Sequence, residues 1–317
     1  MNKVRVSIVI PSFNGGALLD ECLEAIFSQE TELSFEVLVI DSGSTDGTVE
    51  RLKRFSHPLR LVEIAPEKFN HGLTRNRGIE LAKGEFVVLM TQDAVPADNR
   101  WLDALINPFY EDPRVAGVYA RQLPRSGANV LTKRHLEAWL TGRTKRHVSY
   151  ISSRDEYENM RPMEKYFLCN FDDVCSAIRK SVWEKIPYVK TDFGEDLVWS
   201  KKALLAGFKI VYEPGARVVH SHSRSLGYEY RRTRLCHRRL HEIFGVRTVP
   251  TWTRLVRYAC KSMGRDVVYL LMEEPSAPGK IFLILRAPFA SFLNLYAQYR
   301  GALDAVRGRS HRNIRGV

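Results

Sequence analysis

The 317-residue sequence has no CxxC pair of cysteines, no internal repeat and no low-complexity segment. Its five cysteines are odd in number, which fits a reducing cytosolic compartment best. The first residues lead straight into an apolar stretch without a cleavage site, so we expect no signal peptide. No apolar run reaches the roughly 18 to 20 residues of a membrane span, because the run that starts at Ile281 is interrupted by Arg286 and Pro288. We therefore expect a cytoplasmic protein without a membrane-spanning helix.

The positive charge is confined to the C-terminal third of the chain. Residues 1–214 hold 29 Lys and Arg against 30 Asp and Glu, whereas residues 215–317 hold 19 against 6. A nearly neutral body with a basic, partly apolar tail indicates an anionic surface as a partner of the tail.

Strand and helix patterns alternate through the first two thirds of the chain. In each unit of about 30 residues, a short apolar run is followed by a segment whose apolar residues have helical spacing. This pattern is typical of βα units and predicts an α/β fold with a doubly wound parallel sheet. Thr45 or Asp46 is the expected N-cap of the second helix. Residues 126–168 have no clear assignment, "KIVYEP" reads as a strand, and "ARVVHSHS" reads as another strand or a tight loop. From Ser225 onward the pattern is helical and basic.

Polar side chains follow several predicted strands at the point where each strand ends. Open α/β sheets bind ligands beyond the carboxyl ends of their strands, and Asp41, Asp93 and the loop before Arg75 are expected there. Asp93 is a candidate ligand for Mg²⁺ or Mn²⁺, which prefer oxygen donors, or else a turn residue before Pro96. Asp41 is a candidate nucleotide contact or a plain Asx turn, and Arg75 a diphosphate partner or a solvated arginine.

Two further pairs of residues carry candidate chemistry. Glu195 and Asp196 open a predicted helix, where acids either favour the helix dipole or provide a general base. His220 and His222 follow a predicted strand at i and i+2, and either supply an imidazole metal ligand or play a structural part.

The chain resembles the family-2 glycosyltransferases of the GT-A fold over residues 4–227. The segments that carry this resemblance are "VSIVIPSFNGG", "VLVIDSGSTDGT", "FNHGLTRNRGIELAKGEFVVLMTQDAVP" and "EDLVWSKKALLAG". The segments "VAGVYARQLPR", "VCSAIRKSVW" and "VVHSHSRSL" are similar to a bacterial rhamnosyltransferase branch of the family. The resemblance implies a Rossmann-like, mostly parallel sheet flanked by helices in a catalytic domain of residues 1–224, followed by a helical extension of residues 225–317.

The resemblance also implies an activity and a set of site residues. A sugar would move from a nucleotide donor to an acceptor hydroxyl with inversion, with Mg²⁺ or Mn²⁺ as cofactor. Asp196 would be the general base, and Asp93 the metal-binding aspartate of the D-x-D motif, joined by His220 or His222. The residues implied to contact the nucleotide sugar are Pro11, Phe13, Asp41, Asp46, Arg75 and Gln92. The residues expected to contact the acceptor are Glu195, Asp172, Asp173 and Arg121.

The chain departs from the family pattern in two places. The D-x-D motif begins with Thr91 instead of an acid that commonly faces the donor ribose, which is compatible with a deoxyribose donor such as dTDP-β-L-rhamnose. Asp172 and Asp173 stand where the branch more often carries neutral residues, and we expect these two acids to contact the acceptor.

The C-terminal helical extension mixes apolar residues with Arg and Lys. Such helices are typical of a membrane interface beside anionic lipid, which suits an acceptor saccharide linked to a polyprenyl diphosphate on the inner face of the cytoplasmic membrane. The alternative is a cap that buries its apolar face on the catalytic body or on a second subunit of a homo-oligomer.

Three other classes of function are weighed against this hypothesis. A sugar-nucleotide pyrophosphorylase needs a Gly-rich phosphate loop after the first strand, and "PSFNGG" is not that loop. A dinucleotide dehydrogenase needs G-x-G-x-x-G at the same place. A nucleic-acid binder follows from net charge alone, but the tail has no recognisable binding motif, so no nucleic-acid partner is expected. Within the family, a UDP- or GDP-sugar donor remains the alternative to dTDP-rhamnose.

Overall fold

The computed structural model describes residues 3–222, 224–273 and 277–308, and of residues 277–280 the backbone alone. The chain divides into two compact units. The first comprises residues 1–125, 136–160 and 167–220, and the second comprises residues 126–135, 161–166 and 221–317. The division into a catalytic domain and a functional extension at residue 224 stays a prediction.

The first unit is built on a mixed sheet of nine strands. The strands are β1 (Val6–Ser12), β2 (Phe35–Asp41), β3 (Arg60–Glu63), β4 (Phe86–Met90), β5 (Val95–Pro96), β6 (Val115–Leu123), β7 (His147–Ser149), β8 (Cys175–Arg179) and β9 (Lys209–Val219). Their order across the sheet is β3-β2-β1-β4-β8-β6-β9-β5, and β7 pairs with β9. This confirms the predicted α/β class.

The N-terminal strands form the parallel part of the sheet. β1 pairs in parallel with both β2 and β4, and β2 pairs in parallel with β3. β4 is apolar at every position and fully buried, as expected of a strand whose two faces are both covered. Gly78 brings the helix that precedes β4 close to the sheet, because a Cβ at this position would lie 2.3 Å from Cγ1 of Val9. The carboxyl ends of β1, β2 and β4 therefore share one edge, as the sequence predicts.

Beyond β4 the sheet is no longer uniformly parallel. β8 is antiparallel to both β4 and β6, whereas β6 and β9 are parallel. The segment "KIVYEP" and the "ARVV" of "ARVVHSHS", assigned separately from sequence, belong to one strand of 11 residues, β9, which ends at Val219. An irregularity in its pairing with β6, between Glu213 and Arg217, explains why the sequence pattern is interrupted there.

Short helices alternate with the strands along the first 205 residues of the chain. They are α1 (Gly16–Phe27), α2 (Thr48–Lys53), α3 (His71–Leu81), α4 (Trp101–Ile106), α5 (Pro108–Glu111), α6 (Val130–Glu137), α7 (Arg154–Asn159), α8 (Pro162–Leu168), α9 (Lys180–Trp183) and α10 (Glu195–Leu205). The expected N-cap of α2 is corrected, because Gly47 occupies that position with a φ of 85°. Asp46 still contributes, since its Oδ1 accepts hydrogen bonds from the backbone N–H and the hydroxyl of Thr48. An αL conformation is cheap for glycine and costly for Thr or Asp, so Gly47 takes the position.

The second unit contains three long helices, α11 (Leu226–Phe244), α12 (Trp252–Glu273) and α13 (Ala277–Val306). The hydroxyl of Ser225 caps α11 by accepting from the backbone N–H of Tyr228. The C-terminal half of α13 packs closely on α11, since a Cβ at Gly301 would lie 2.2 Å from the carbonyl oxygen of Arg234. Arg234 also pairs with the buried Asp304 at 2.6 Å, which joins the same two helices.

The expectation that no segment is long and apolar enough to span a membrane is corrected. α13 continues through Pro288, and in the described part of the chain one stretch, Ile281–Val306, meets the length and composition of a span with a mean hydropathy of 1.3. Pro288 does not end the helix, although proline in a helix interior removes a backbone hydrogen bond. The pattern from sequence therefore underestimated the length of this apolar helix.

Candidate functional site

Asp41 accepts hydrogen bonds within the loop after β2, and Asn14 joins this loop to the loop after β1. The buried carboxylate of Asp41 accepts from the backbone N–H groups of Gly43 and Ser44 at 3.0 and 2.8 Å, and from the Ser44 hydroxyl. Asn14, with a φ of 49°, donates its backbone N–H to the Ser44 hydroxyl and accepts from the N–H of Thr45. Asp41 thus shapes the Asx-type loop weighed from sequence, and its contact with a nucleobase stays a prediction.

Gln92 joins the end of β4 to the loop after β1. Its side-chain Oε1 accepts from the backbone N–H of Phe13 at 2.9 Å, and its Nε2 donates to the carbonyl oxygen of Phe13 at 3.0 Å. The phenyl ring of Phe13 is 53% exposed. Gln92 therefore fixes the backbone of Phe13, whose side chain is exposed. Phe13 and Pro11 are both predicted to line the nucleotide pocket.

Asp93 and His220 approach each other where β4 and β9 end. Nε2 of His220 lies 3.7 Å from Oδ1 of Asp93, and both side chains are largely buried. The other ring nitrogen of His220, Nδ1, lies 3.1 Å from Oε1 of Gln122. Arg125 adds support to the loop by donating to the carbonyl oxygen of Asp93 at 2.9 Å.

The donors at this place fit a divalent cation. The ligand atoms of Asp93, His220 and His222 all lie within 4.8 Å of one another. A carboxylate oxygen with imidazole nitrogens is a donor set that Mn²⁺ and similar ions accept. The roles of Asp93 and of the two histidines as metal ligands stay predictions.

Arg75, Glu195 and Asp173 form a buried ion-pair cluster. Nη1 of Arg75 lies 2.6 Å from Oε1 of Glu195, and its Nε lies 3.2 Å from Oδ2 of Asp173. Burial alone would lower the pKa of Arg75, but the two carboxylates raise it above its usual value. Burial raises the pKa of Asp173 to about 6, although Arg75 attracts the charged form. Because these three charges pair with one another, the predicted contacts of Arg75 with a diphosphate and of the two acids with an acceptor stay predictions.

Asp196 lies in the first turn of α10, next to this cluster in the chain. Its Oδ1 accepts from the backbone N–H of Leu197 at 2.7 Å, and its Oδ2 accepts from that of Asp173. Burial, followed by the negative charges of Glu195, Asp173 and Asp172, raises the pKa of Asp196 well above its usual value. A carboxylate with a raised pKa holds a proton more strongly, which is the property required of a general base.

Arg121 lies on β6, beside Gln122, and its Nε is buried. That atom has no hydrogen-bond partner in the part of the chain that the structure describes. Thr91, which replaces the first acid of the D-x-D motif, likewise has a buried hydroxyl without such a partner among those residues. The predicted roles of Arg121 and Thr91 stay predictions.

Gln122 lies at this site although the sequence did not point to it. Its amide contacts His220 on one side and Asp172 on the other, where Nε2 donates to Oδ2 at 2.9 Å. The quoted "RQLPR" segment contained it, but nothing in a single sequence indicates that a strand glutamine meets a histidine 98 positions later. Asn14 was missed for the same reason, since its partners lie on a different loop.

Comparison with known proteins decides the family of this chain. The family model described as glycosyl transferase family 2 matches residues 7–186. The chain belongs to glycosyl transferase family 2. Two relatives of this glycosyltransferase are O-antigen chain rhamnosyltransferases. RfbN of Salmonella typhimurium is 30% identical over 72% of this chain and 70% of its own, and WbaN of Salmonella anatum is 31% identical over 71% and 69%.

A solved structure supports the fold of the glycosyltransferase. The mannosyltransferase PcManGT from Pyrobaculum calidifontis, in complex with GDP-Man and Mn²⁺, matches with a TM-score of 0.62 at 17% identity. The match covers 98% of this chain and 89% of that one. The predicted GT-A fold with helices after the catalytic sheet is confirmed.

Proposed function

We propose that the glycosyltransferase moves L-rhamnose from dTDP-β-L-rhamnose, with inversion, to a hydroxyl of a saccharide linked to a polyprenyl diphosphate. The reaction would serve the synthesis of a cell-surface polysaccharide. The observation that carries the proposal is the likeness, over about seven tenths of each chain, to two O-antigen chain rhamnosyltransferases. Thr91 in place of the first acid of the D-x-D motif supports a deoxyribose donor.

Asp196 serves as the general base in this proposal. It accepts the proton of the acceptor hydroxyl while that oxygen attacks the anomeric carbon from the face opposite the nucleotide. A single in-line displacement of this kind inverts the configuration, so a β-linked donor gives an α-L-rhamnoside. The raised pKa of Asp196 supports this role, and its hydrogen bonds to two backbone N–H groups hold the carboxylate in one orientation.

Asp93 and His220, together with His222, are the residues that would hold a divalent cation. Bound there, Mg²⁺ or Mn²⁺ would neutralise the negative charge of the departing nucleoside diphosphate. The Mn²⁺ named with the mannosyltransferase structure supports a metal in this fold, and the donor set of this chain fits one. Gln92 and Asn14 hold the loop that carries the exposed Phe13, which would cover the nucleotide.

A panel of donors tests the proposed sugar nucleotide. Thermal shift and donor hydrolysis are measured with dTDP-rhamnose, UDP sugars and GDP sugars, each with Mg²⁺ or Mn²⁺. We expect stabilisation and hydrolysis with dTDP-rhamnose. Stabilisation by UDP sugars alone, or by GDP sugars alone, would refute the rhamnose assignment and support the alternative donor.

The second part of the proposal places α12 and α13 at the inner face of the cytoplasmic membrane. Arg254, Arg257, Lys261 and Arg265 are exposed at spacings of three and four residues, so they form one basic stripe along α12. On α13 the exposed apolar side chains are Ile281, Phe282, Leu285 and Phe289. Basic and apolar side chains together are typical of helices that lie in a membrane interface and attract anionic lipid.

The packing of α13 favours an interfacial position over a spanning one. Its C-terminal half buries Ala297 and Gly301 and pairs Asp304 with Arg234, so that half is committed to the second unit. The remaining residues, 281–292, extend over about 18 Å at a rise of about 1.5 Å per residue. The hydrocarbon core is about 30 Å thick, which is more than this segment can cross.

Liposome flotation tests the membrane proposal. A variant with glutamine at the four basic positions of the α12 stripe is compared with a control carrying Arg54→Gln, Arg77→Gln, Lys83→Gln and Lys145→Gln. Both sets change the net charge equally and alter exposed residues. We expect the native chain and the control to float with anionic vesicles and the stripe variant to remain behind. Failure of the native chain to bind, or a concentration-dependent dimer that covers α13 instead, would overturn the proposal.

A further inference from the structure

We infer that Gln122 and Asp172 are positioning residues that hold the His220 ring with its Nε2 lone pair turned toward Asp93. The inference rests on the proposed metal dependence, since this nitrogen would be the metal ligand. It assigns to Asp172 a task inside the protein, in place of the acceptor contact that is expected from the sequence.

The hydrogen bonds determine which atoms carry protons. Both carboxylate oxygens of Asp172 accept, Oδ1 from the backbone N–H of Val174 at 2.9 Å and Oδ2 from the Gln122 side chain at 2.9 Å. The side of the Gln122 amide that faces Asp172 must therefore be its NH₂ group. Its carbonyl oxygen then faces Nδ1 of His220 at 3.1 Å. An amide oxygen only accepts, so Nδ1 of the neutral ring carries the hydrogen and Nε2 carries the lone pair.

The backbone holds these side chains at a constant separation. Gln122 lies near the end of β6, where Gln122 pairs in register with Val218 of β9. The backbone N–H of His220 donates to the carbonyl oxygen of Leu123 at 2.8 Å, which extends the pairing by one residue. Gln122 is itself buried, so water does not compete for its amide. The pairing of β6 with β9 fixes the position of the His220 ring. The hydrogen bonds from Asp172 through Gln122 restrict its rotation.

A ring held in this way binds a metal more tightly than a free ring. A histidine ligand usually donates its second N–H to an oxygen, which selects the tautomer and raises the basicity of the ligand nitrogen. Loss of such a partner typically lowers metal affinity about 10- to 100-fold. The same loss is expected here when Gln122 no longer accepts from His220.

The first test reads the tautomer of His220 in metal-free protein by long-range ¹H–¹⁵N NMR. We expect the Nδ1–H form in the native chain and a mixture with the Nε2–H form in Gln122→Met, which keeps the volume but removes both hydrogen bonds. The Nε2–H form in the native chain, or an unchanged tautomer in Gln122→Met, would overturn the inference. This readout requires neither metal nor donor.

The second test measures Mn²⁺ affinity by electron paramagnetic resonance, with rescue by a paired substitution. Gln122→Met should weaken binding about 10- to 100-fold, and Gln122→Glu alone should also weaken it because two carboxylates then face each other. Adding Asp172→Asn to Gln122→Glu reverses the direction of the central hydrogen bond, because the new amide donates to the new carboxylate, and it preserves all three bonds. The affinity of this double variant, D172N/Q122E, should return toward the native value.

The outcomes separate this inference from the proposed function. A native chain that binds no Mn²⁺ contradicts the metal dependence, whereas the tautomer experiment still judges the positioning role. A native chain that binds Mn²⁺ while Gln122→Met binds equally well contradicts the positioning role alone. Failure of D172N/Q122E to improve on Gln122→Glu contradicts it too, provided the thermal melting of both variants is alike in the absence of metal.

Discussion

Asp196 owes its proposed chemistry to the residues around it. A carboxylate on the first turn of a helix would ordinarily be stabilised in its charged form by the helix dipole. Burial and three neighbouring acids act in the opposite direction and raise its pKa. The surroundings of Asp196 thus make its carboxylate a stronger proton acceptor than it would be at the end of an isolated helix.

Replacement of this carboxylate should abolish most of the turnover. Asp196→Asn retains the shape and the oxygen that accepts from Leu197, but it cannot take up a proton. We expect kcat to fall about 10²- to 10⁴-fold while donor affinity changes little. Steady-state kinetics and donor titration check this, with the exposed Asp192→Asn as the control. Nearly native turnover in Asp196→Asn would show that the base lies elsewhere.

The pH dependence of kcat/KM should change when the negative charge of Glu195 is removed. Asp196 must be ionised to act as a base. Because its pKa is raised, activity should be lost at a higher pH on acidification than it would be with an ordinary carboxylate. Glu195→Gln removes the second-largest cause of the raised pKa. The acidic limb of kcat/KM should therefore shift to lower pH.

The exposed Glu184→Gln is the control for this pH experiment. Its profile should coincide with that of the native enzyme. A limb that stays in place in Glu195→Gln, or moves to higher pH, would contradict the assignment of that limb to Asp196. Retained folding is checked by thermal melting, because Glu195 also pairs with the buried Arg75.

The sequence indicated which residues belong to the candidate site, but it did not indicate which of them contact one another. The family resemblance implied that Asp93 and a histidine of the "HSH" segment share a metal site, and their ligand atoms do lie close together. Arg75 was expected to face the nucleotide, but its pairing with Glu195 joins positions 120 apart. Such side-chain pairings depend on rotamers and on strands that meet across the sheet, which one sequence does not encode in any local pattern.

At the scale of elements, the strands β1 to β4 could be predicted because each is a short, largely apolar run between turns. β9 was divided in two because Pro214 and Gly215 resemble a turn, whereas the structure absorbs them in a pairing irregularity. α13 was shortened in prediction because Pro288 normally interrupts a helix. In both cases tertiary packing outweighed the local signal.

Two glycines in the second unit provide a test of helix packing. At Gly301 on α13 an added Cβ would meet the backbone of Arg234, but at Gly264 on α12 it would meet nothing within 4 Å. Gly301→Ala should therefore lower the melting temperature, since the backbone must move. Gly264→Ala should leave it unchanged or raise it, with a gain of up to about 1 kcal/mol from helix propensity.

Thermal unfolding of both alanine variants checks this expectation. The two substitutions are chemically identical and both lie inside helices, so each controls for the other. Equal melting temperatures would contradict the close packing of α13 on α11.

At the scale of the whole molecule, the chain separates its charges by environment. The first unit buries Arg75 with two acids, and the second unit exposes a basic stripe along α12. Composition predicted the basic surplus of the C-terminal third, because counting needs no structure. It could not predict that the surplus is arranged as a stripe, since this requires a continuous helix from Trp252 to Glu273.

Dissolved salt should act differently on these two sets of charges. At about 0.15 M ionic strength, screening acts over about 8 Å between exposed charges, but much less between buried ones. Vesicle binding through the α12 stripe should therefore weaken steeply as potassium chloride rises, while hydrolysis of a water-soluble donor keeps its acidic pH limb. Sedimentation with vesicles and donor hydrolysis, measured over one salt series, would show whether the enzyme can leave a membrane with its chemistry intact.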